Sequence, residues 1–168
     1  MKALTIWQPW ASLIIAGAKP YEFRGWRPPR ALIGQRIVIH AAARKIDFLE
    51  TRDLLHVHYY RGASDDIDLA ARETCLITEK ALPILADALF SGDRMPMACG
   101  IGTAVVGEPR LGSEIAEEFG VPRANDSDRD EHANWGWPML EIEAWPTPIP
   151  MRGAQGLWNW PEPERVVP

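Results

Sequence analysis

The spacing of apolar and polar positions predicts short strands and one short helix in the first 41 residues. Residues 3–6 form a β-prone apolar run, and Pro9 then begins a helix that ends at Gly17. Alternation over residues 21–26 predicts a second strand, and the RIVIHA run of residues 36–41 is the clearest strand in the chain. A helix therefore follows directly after the first predicted strand.

The middle of the chain, about residues 47–92, is predicted to be a helical insert between strands. Apolar positions at helical spacing predict a helix over residues 47–60, with Asp47 near its start. Residues 68–82 are predicted to be helical too, and residues 83–90 to form a further short helix.

Strand patterns return in the last third. Residues 97–108 are β-rich and contain three glycines, which predict bulges or close backbone approach in a bent strand. Residues 114–119 favour a turn of helix, and the polar residues 121–134 an exposed loop. Residues 137–144 alternate and are expected to be the last or penultimate strand, followed by the proline-punctuated segment 145–153.

Length and composition favour one domain over residues 1–168, without an internal repeat or a linker. Cys75 and Cys99 form no CxxC pair, which argues against a zinc knuckle, and both are expected to be buried, reduced thiols. The apolar stretch 11–17 is too short to span a bilayer and is preceded by Pro9, so no membrane association is predicted and the expected location is cytoplasmic.

The net charge of −5 argues against a protein that coats nucleic acid through bulk electrostatics. Any contact with RNA must then come from a local basic patch. The candidate is a stretch in which Glu22 is the one opposing carboxylate, and it contains Lys19, Arg24, Arg27, Arg30, Arg36, Arg44 and Lys45.

Tryptophan is unusually common and clusters at the two ends of the chain. The eight residues are Trp7, Trp10, Trp26, Trp135, Trp137, Trp145, Trp158 and Trp160. We expect the two ends to meet in space and the segment 152–160 to be a loop packed on the sheet. Trp7 and Trp10 are expected in the core, whereas Trp26 and Trp158 are candidates for stacking on a base.

The sharpest polar candidates are Lys19, Glu22 and Arg24. A spacing of two on a strand places Glu22 and Arg24 on the same side of it. The two cations can hold a phosphate or a carbonyl edge while the carboxylate accepts from an exocyclic amine. The alternative is an exposed Glu22–Arg24 ion pair of little energetic value.

Other polar residues extend this candidate site. Gln8 and Gln155 can supply amide hydrogen bonds to a base edge. His40, at the end of its strand, could act as a general base or bind a phosphate. The alternative is a hydrogen-bonded structural residue. His56 and His58 point to different faces of a helix, so we predict no metal site, and no cofactor is expected.

The segment QPWASLIIAGAKPYEFRGW, residues 8–26, resembles the signature of the ASCH family, in which a Q-P-W-A helix leads into G-x-K-x-x-E-x-R. Gly17, Lys19, Glu22 and Arg24 stand at those four positions. IVIHAA and PIPMRGAQGLWNW also resemble the bacterial and phage members of the family.

The resemblance implies an α+β fold, a PUA-like mixed β-barrel with a short helix after the first strand, and a cleft beside that helix. It implies binding of RNA or a nucleotide-like ligand, including a modified nucleoside. Some members are N4-acylcytidine amidohydrolases, and ribonuclease activity on single-stranded RNA is attributed to another.

If this chain is a hydrolase, Lys19 and Glu22 are the catalytic candidates. Glu22 stands where the amidohydrolases carry a threonine, which puts threonine-type chemistry in doubt. A third possibility is a protein-interaction module. The sequence leaves the oligomeric state open.

Overall fold

The structure is a computed structural model that describes residues 1–60, 75–91, 94–121 and 135–161. Its strands are β1 (Lys2–Ile6), β2 (Tyr21–Arg24), β3 (Arg36–Ala41), β4 (Cys99–Val106), β5 (Arg110–Leu111), β6 (Trp135–Pro150) and β7 (Leu157–Asn159). Its α-helices are α1 (Trp10–Ile15), α2 (Phe48–Tyr59), α3 (Thr78–Phe90) and α4 (Gly112–Phe119), and a 3₁₀ turn covers Arg30–Leu32. The predicted loop at 121–134 lies, from residue 122 onward, outside the described residues.

The strands form one mixed sheet in the order β2-β6-β4-β3-β1-β7, and β5 pairs with the start of β6 on the edge opposite β2. β1 and β3 run parallel, with Thr5 opposite His40, while the other pairs are antiparallel. The sheet curls into a half-barrel, which confirms the mixed α+β class. β2 and β7 are its two edges.

The two ends of the chain meet, as the tryptophan distribution predicts. β7 pairs antiparallel with β1, so that Trp158 lies opposite Ala3, and the Trp160 amide donates to the Met1 carbonyl at 2.9 Å. The predicted loop at 152–160 is therefore wrong for residues 157–159, which form this edge strand.

The main core lies between α1 and the face of the sheet that carries Leu4 and Ile39. α1 buries Leu13 and Ile14 completely against it, and Trp137 of β6 is also fully buried. Truncating such a leucine to alanine costs about 2–5 kcal/mol, so this packing fixes α1 on the sheet.

The predicted helical insert contains two helices that pack on one another. Asp47 caps α2 by accepting from the backbone amides of Leu49 and Glu50, which confirms the predicted start. α3 is one helix with Pro83 in its interior, so the predicted break at residue 83 is wrong. The remainder of the helix predicted over residues 68–82 is not helical at 75–77, and residues 68–74 lie outside the described residues.

Glycines in β4 permit the close approach that bends the sheet. A Cβ on Gly102 would lie 2.4 Å from the Glu143 carbonyl oxygen of β6. The register between β4 and β6 shifts between Gly100 and Gly102, which confirms the predicted irregularity.

Two further expectations are corrected. β6 runs for 16 residues and continues through the proline-punctuated segment, well beyond the predicted end at residue 144. Trp7 is 54% exposed, with the Arg44 guanidinium 3.7 Å from the centre of its ring, so it is not a core residue, whereas Trp10 is buried as predicted.

Candidate functional site

The turn between α1 and β2 buries Lys19. Gly17 adopts the left-handed conformation that ends α1, and the Lys19 backbone amide donates to the Leu13 carbonyl at 3.0 Å. The Lys19 side chain is fully buried, and its Nζ donates to the Tyr21 carbonyl at 2.6 Å. An ammonium placed there needs a counter-charge, because an isolated buried ion is strongly unfavourable.

Glu22 supplies that counter-charge. Its Oε2 lies 3.1 Å from Lys19 Nζ, and its Oε1 lies 2.8 Å from Arg24 Nη2. Glu22 is 4% exposed, so the interpretation as an exposed ion pair is wrong. Burial alone raises the pKa of the Glu22 carboxyl, but the charges of Lys19 and Arg24 outweigh it, so that this pKa lies below its usual range.

Arg24 is the member of this cluster that reaches the surface. Its side chain is 26% exposed, and Nη2 also makes a long contact of 3.4 Å to the Thr5 carbonyl of β1. Its Nε is buried and has no hydrogen-bond partner among the described residues. The Arg24–Thr5 contact spans the gap between the β2 edge and the β1–β7 edge of the curled sheet, and we call this gap the seam.

The Thr5 side chain links the seam to His40 and Trp158. The His40 Nε2 lies 2.9 Å from the Met151 carbonyl, which can only accept, so Nε2 carries the proton. Nδ1 then accepts from the Thr5 hydroxyl at 3.3 Å, and the Thr5 Oγ1 accepts from Trp158 Nε1 at 3.0 Å. His40 is 1% exposed with both ring nitrogens bonded, which is the geometry of the structural alternative for this residue.

Three tryptophans gather beside this network. Trp158 and Trp160 have ring centroids 5.6 Å apart, and Trp145 lies 5.6 Å from Trp160. A Cβ on Gly100 would come within 2.7 Å of the Trp160 and Trp145 rings, so the cluster requires glycine there. All three rings are half-buried.

Trp26 lies just beyond the other side of the seam, after β2. It is 43% exposed and meets the buried Trp137 ring edge-on at 4.7 Å between centroids. The Trp137 Nε1 donates to the Trp26 carbonyl at 3.1 Å, which fixes the backbone there. The neighbouring Arg27 lies 4.4 Å from the centre of the Trp135 ring.

The two glutamine candidates differ. Both ends of the Gln8 amide are used internally, because Nε2 donates to the Pro96 carbonyl at 2.8 Å and Oε1 accepts from the Ser12 amide at 3.1 Å. Gln8 is buried and positions the start of α1. Gln155 is exposed in the turn before β7.

The described residues contain no group of three His, Cys, Asp or Glu side chains that could hold a metal ion. His56 is exposed whereas His58 is buried against Thr78, with Nδ1 to Oγ1 at 3.0 Å. Cys75 and Cys99 are both buried, and burial raises the pKa of the Cys99 thiol. Within the same residues, no helix is long and apolar enough to cross a membrane.

Comparison with known families decides the relationship. The ASCH domain matches residues 4–108, which is more than half of the 168-residue chain. The chain belongs to the ASCH family. A comparison with curated proteins finds no match.

The part of the chain that matches the ASCH domain contains Lys19, Glu22, Arg24 and His40, but not Trp158. Sequence reasoning brought the first three together correctly. It did not include Thr5, Trp145 or Trp160, which the curl of the sheet adds. The WNW run at 158–160 was the available signal for Trp160, whereas a threonine in a β-strand carries none.

The basic stretch does not form a continuous cationic surface in this ASCH domain. Besides Glu22, carboxylates of β6 and of residue 108 oppose it. Arg36 Nη2 lies 3.1 Å from Glu141 and 3.3 Å from Glu143, and Arg27 lies 3.7 Å from Glu108. Glu22 is the one carboxylate within the stretch itself, and the fold brings these others to it.

Proposed function

We propose that this ASCH domain binds RNA or a nucleotide-like ligand at a cleft around Lys19, Glu22 and Arg24. The observation that carries the proposal is the buried cluster of two cations and one carboxylate, in which Arg24 has a buried Nε without a partner among the described residues. A net positive group that is held rigidly beside the surface suits a phosphate or a carbonyl-rich base edge.

Within this proposal the three residues have different roles. Lys19 is fully buried and fixes Glu22, so it acts as a positioning residue. Arg24 is the member that reaches solvent and makes the first contact with the ligand. Trp26 and Trp158 are the proposed stacking surfaces, and Gln155, which is exposed before β7, is the proposed amide contact. His40 and Gln8 are bonded internally and support the framework.

Glu22 is better suited to binding than to general-base hydrolysis. Both of its oxygens contact cations, and its lowered pKa makes it a weak base near neutral pH. Effective general bases have a pKa near the working pH. The hydrolase alternative, with Lys19 and Glu22 as catalytic residues, therefore receives less support from this geometry.

We also propose that the half-barrel is PUA-like, that residues 1–168 form one domain with the helices of residues 47–92 as an insert, and that the chain is of the bacterial and phage type. The order of β1, α1 and β2, with α1 against the curled sheet, supports the first of these.

Fluorescence anisotropy with short single-stranded RNA tests the function. Arg24→Lys keeps the charge but removes the planar fork, so we expect affinity to fall at least tenfold, while Arg52→Lys, on the exposed face of α2, leaves it unchanged. Melting temperatures of both variants establish that they fold. Absence of RNA and nucleoside binding in the wild type would overturn the proposal and favour a protein-interaction role, and turnover of RNA or N4-acylcytidine would favour the hydrolase.

A further inference from the structure

We infer that the ligand is a single-stranded oligonucleotide that spans the seam, with one base at Trp26 and another at the Trp158–Trp160 pair, rather than an isolated nucleoside. This inference rests on the proposed function and specifies its substrate class. It follows from the arrangement of two aromatic positions around one cation.

The two positions lie on opposite edges of the curled sheet. Trp26 follows the edge strand β2, and Trp158 belongs to the edge strand β7. Arg24 contacts Thr5 through Nη2, and Thr5 holds Trp158 through Oγ1. Arg24 thus lies two residues before Trp26 in the sequence, and Thr5 bridges it to Trp158.

Both aromatic positions are fixed before a ligand arrives. The Trp26 ring meets the Trp137 ring edge-on, and the Trp26 backbone is fixed by the Trp137 hydrogen bond to its carbonyl. The Trp158 ring is held by its bond to Thr5 and by the edge-on His40 ring at 5.5 Å. Binding then requires little ordering of these side chains. Stacking on aromatic rings accepts any base, because every base has a π-face.

Two arginines near the Trp26 position suit a sugar–phosphate backbone. The Arg24 side chain is 26% exposed, and the Arg27 side chain is 55% exposed. The contact of Arg27 with the exposed Glu108 is 3.7 Å, which is a weak pair that a phosphate can displace. One nucleoside would use one aromatic position and leave the rest of this arrangement without a role.

The charge of the whole chain limits the length of the bound segment. A net charge of −5 opposes a long polyanion, whereas a few nucleotides at the seam meet two arginines. We therefore expect affinity to rise from one to about four nucleotides and then to level off.

The test is a length series of uridine ribonucleotides, from the mononucleotide to the octanucleotide, followed by competition against a labelled tetramer. We expect the tetramer to bind at least tenfold more tightly than the mononucleotide. Trp26→Leu and Trp158→Leu should each weaken tetramer binding by about tenfold, since stacking contributes about 1–3 kcal/mol per base.

Trp26→Phe and Trp158→Phe keep a stacking face and should retain most of the affinity. Tyr59→Leu, which removes an exposed aromatic side chain from α2, is the matched control and should change nothing. If Trp158→Leu does not fold, Trp160→Leu tests the same position, because Trp160 is not bonded to Thr5 in the network described above.

The inference would be overturned if the mononucleotide and the tetramer bound with equal affinity and either Trp26→Leu or Trp158→Leu left tetramer binding unchanged. The proposed function would still stand. Failure of every length to bind the wild type would instead overturn the proposed function. The deoxythymidine series extends the test to the other sugar. A length dependence in either sugar supports the inference, and its absence in both contradicts it.

Discussion

Replacing Glu22 by glutamine removes one charge from the buried cluster and keeps the shape of the side chain. The fully buried Lys19 ammonium then loses its carboxylate at 3.1 Å, and Arg24 loses its contact at 2.8 Å. Removing one partner of a buried pair costs about 3–5 kcal/mol, because the remaining charge stays desolvated. We expect Glu22→Gln to lower the free energy of unfolding by an amount in this range.

The assay is urea unfolding at pH 7, followed by tryptophan fluorescence and by circular dichroism, for the wild type, Glu22→Gln, Lys19→Met and the double variant. Lys19→Met removes the stranded ammonium and leaves an apolar side chain near Trp10 and Phe23. The double variant should therefore be more stable than the sum of the two single losses predicts.

A loss below about 1 kcal/mol for Glu22→Gln would refute this reasoning, since that is the range of exposed pairs. Strict additivity in the double variant would refute it as well, because it would mean that Lys19 and Glu22 do not interact. Glu114→Gln, on the exposed face of α4, is the matched control and should cost a few tenths of a kcal/mol at most.

Three further predictions concern pH, packing and salt. The folded-state pKa of Glu22 lies below its ordinary value of 4.5. The stability difference between wild type and Glu22→Gln should therefore be constant above about pH 5.5 and shrink as the pH falls below 4.5. Urea unfolding at a series of pH values measures this difference. Gly102→Ala places a methyl 2.4 Å from the Glu143 carbonyl oxygen and should cost about 1–3 kcal/mol in urea unfolding, and an unchanged midpoint would contradict the packing. If Arg24 and Arg27 neutralise two phosphates, the slope of log affinity against log salt should be about −1.4 for a single strand, and about half of that in Arg27→Gln.

Local chemistry made several elements predictable. The β-branched, apolar RIVIHA run predicts β3 with the bounds observed, and the Asp47 side chain fixes the start of α2. The spacing of Glu22 and Arg24 predicts their contact, because residues two apart on a strand share a face. Each of these depends on neighbours in the chain, which the sequence displays directly.

The continuation of β6 was not predicted, because prolines are unfavourable in strands. Met151 donates its backbone amide to the Ala98 carbonyl, just before β4, so the adjacent Pro150 points its nitrogen to the opposite edge. The pairing of β6 with β2 ends at Pro138, and the missing amide therefore removes no ladder hydrogen bond there. β6 therefore tolerates a proline where no strand pairs with the edge that the proline nitrogen faces.

The seam was also out of reach of sequence patterns. The Arg24–Thr5 contact joins β2, at one end of the strand order, to β1, which is next to the other end, and it depends on how far the whole sheet curls. Likewise, the complete burial of Lys19 follows from the turn after α1, whereas its charge alone favours an exposed position.

The pairing of β1 with β7 has a consequence for synthesis on the ribosome. β1 and β3 can associate once residue 41 has emerged, but the other edge of β1 waits until residues 157–159 are made. Contacts so distant along the chain form late, since a long loop must close first. A nascent chain therefore carries Lys19, Glu22 and Arg24 early, yet it acquires the second aromatic position only after residue 158 has been made.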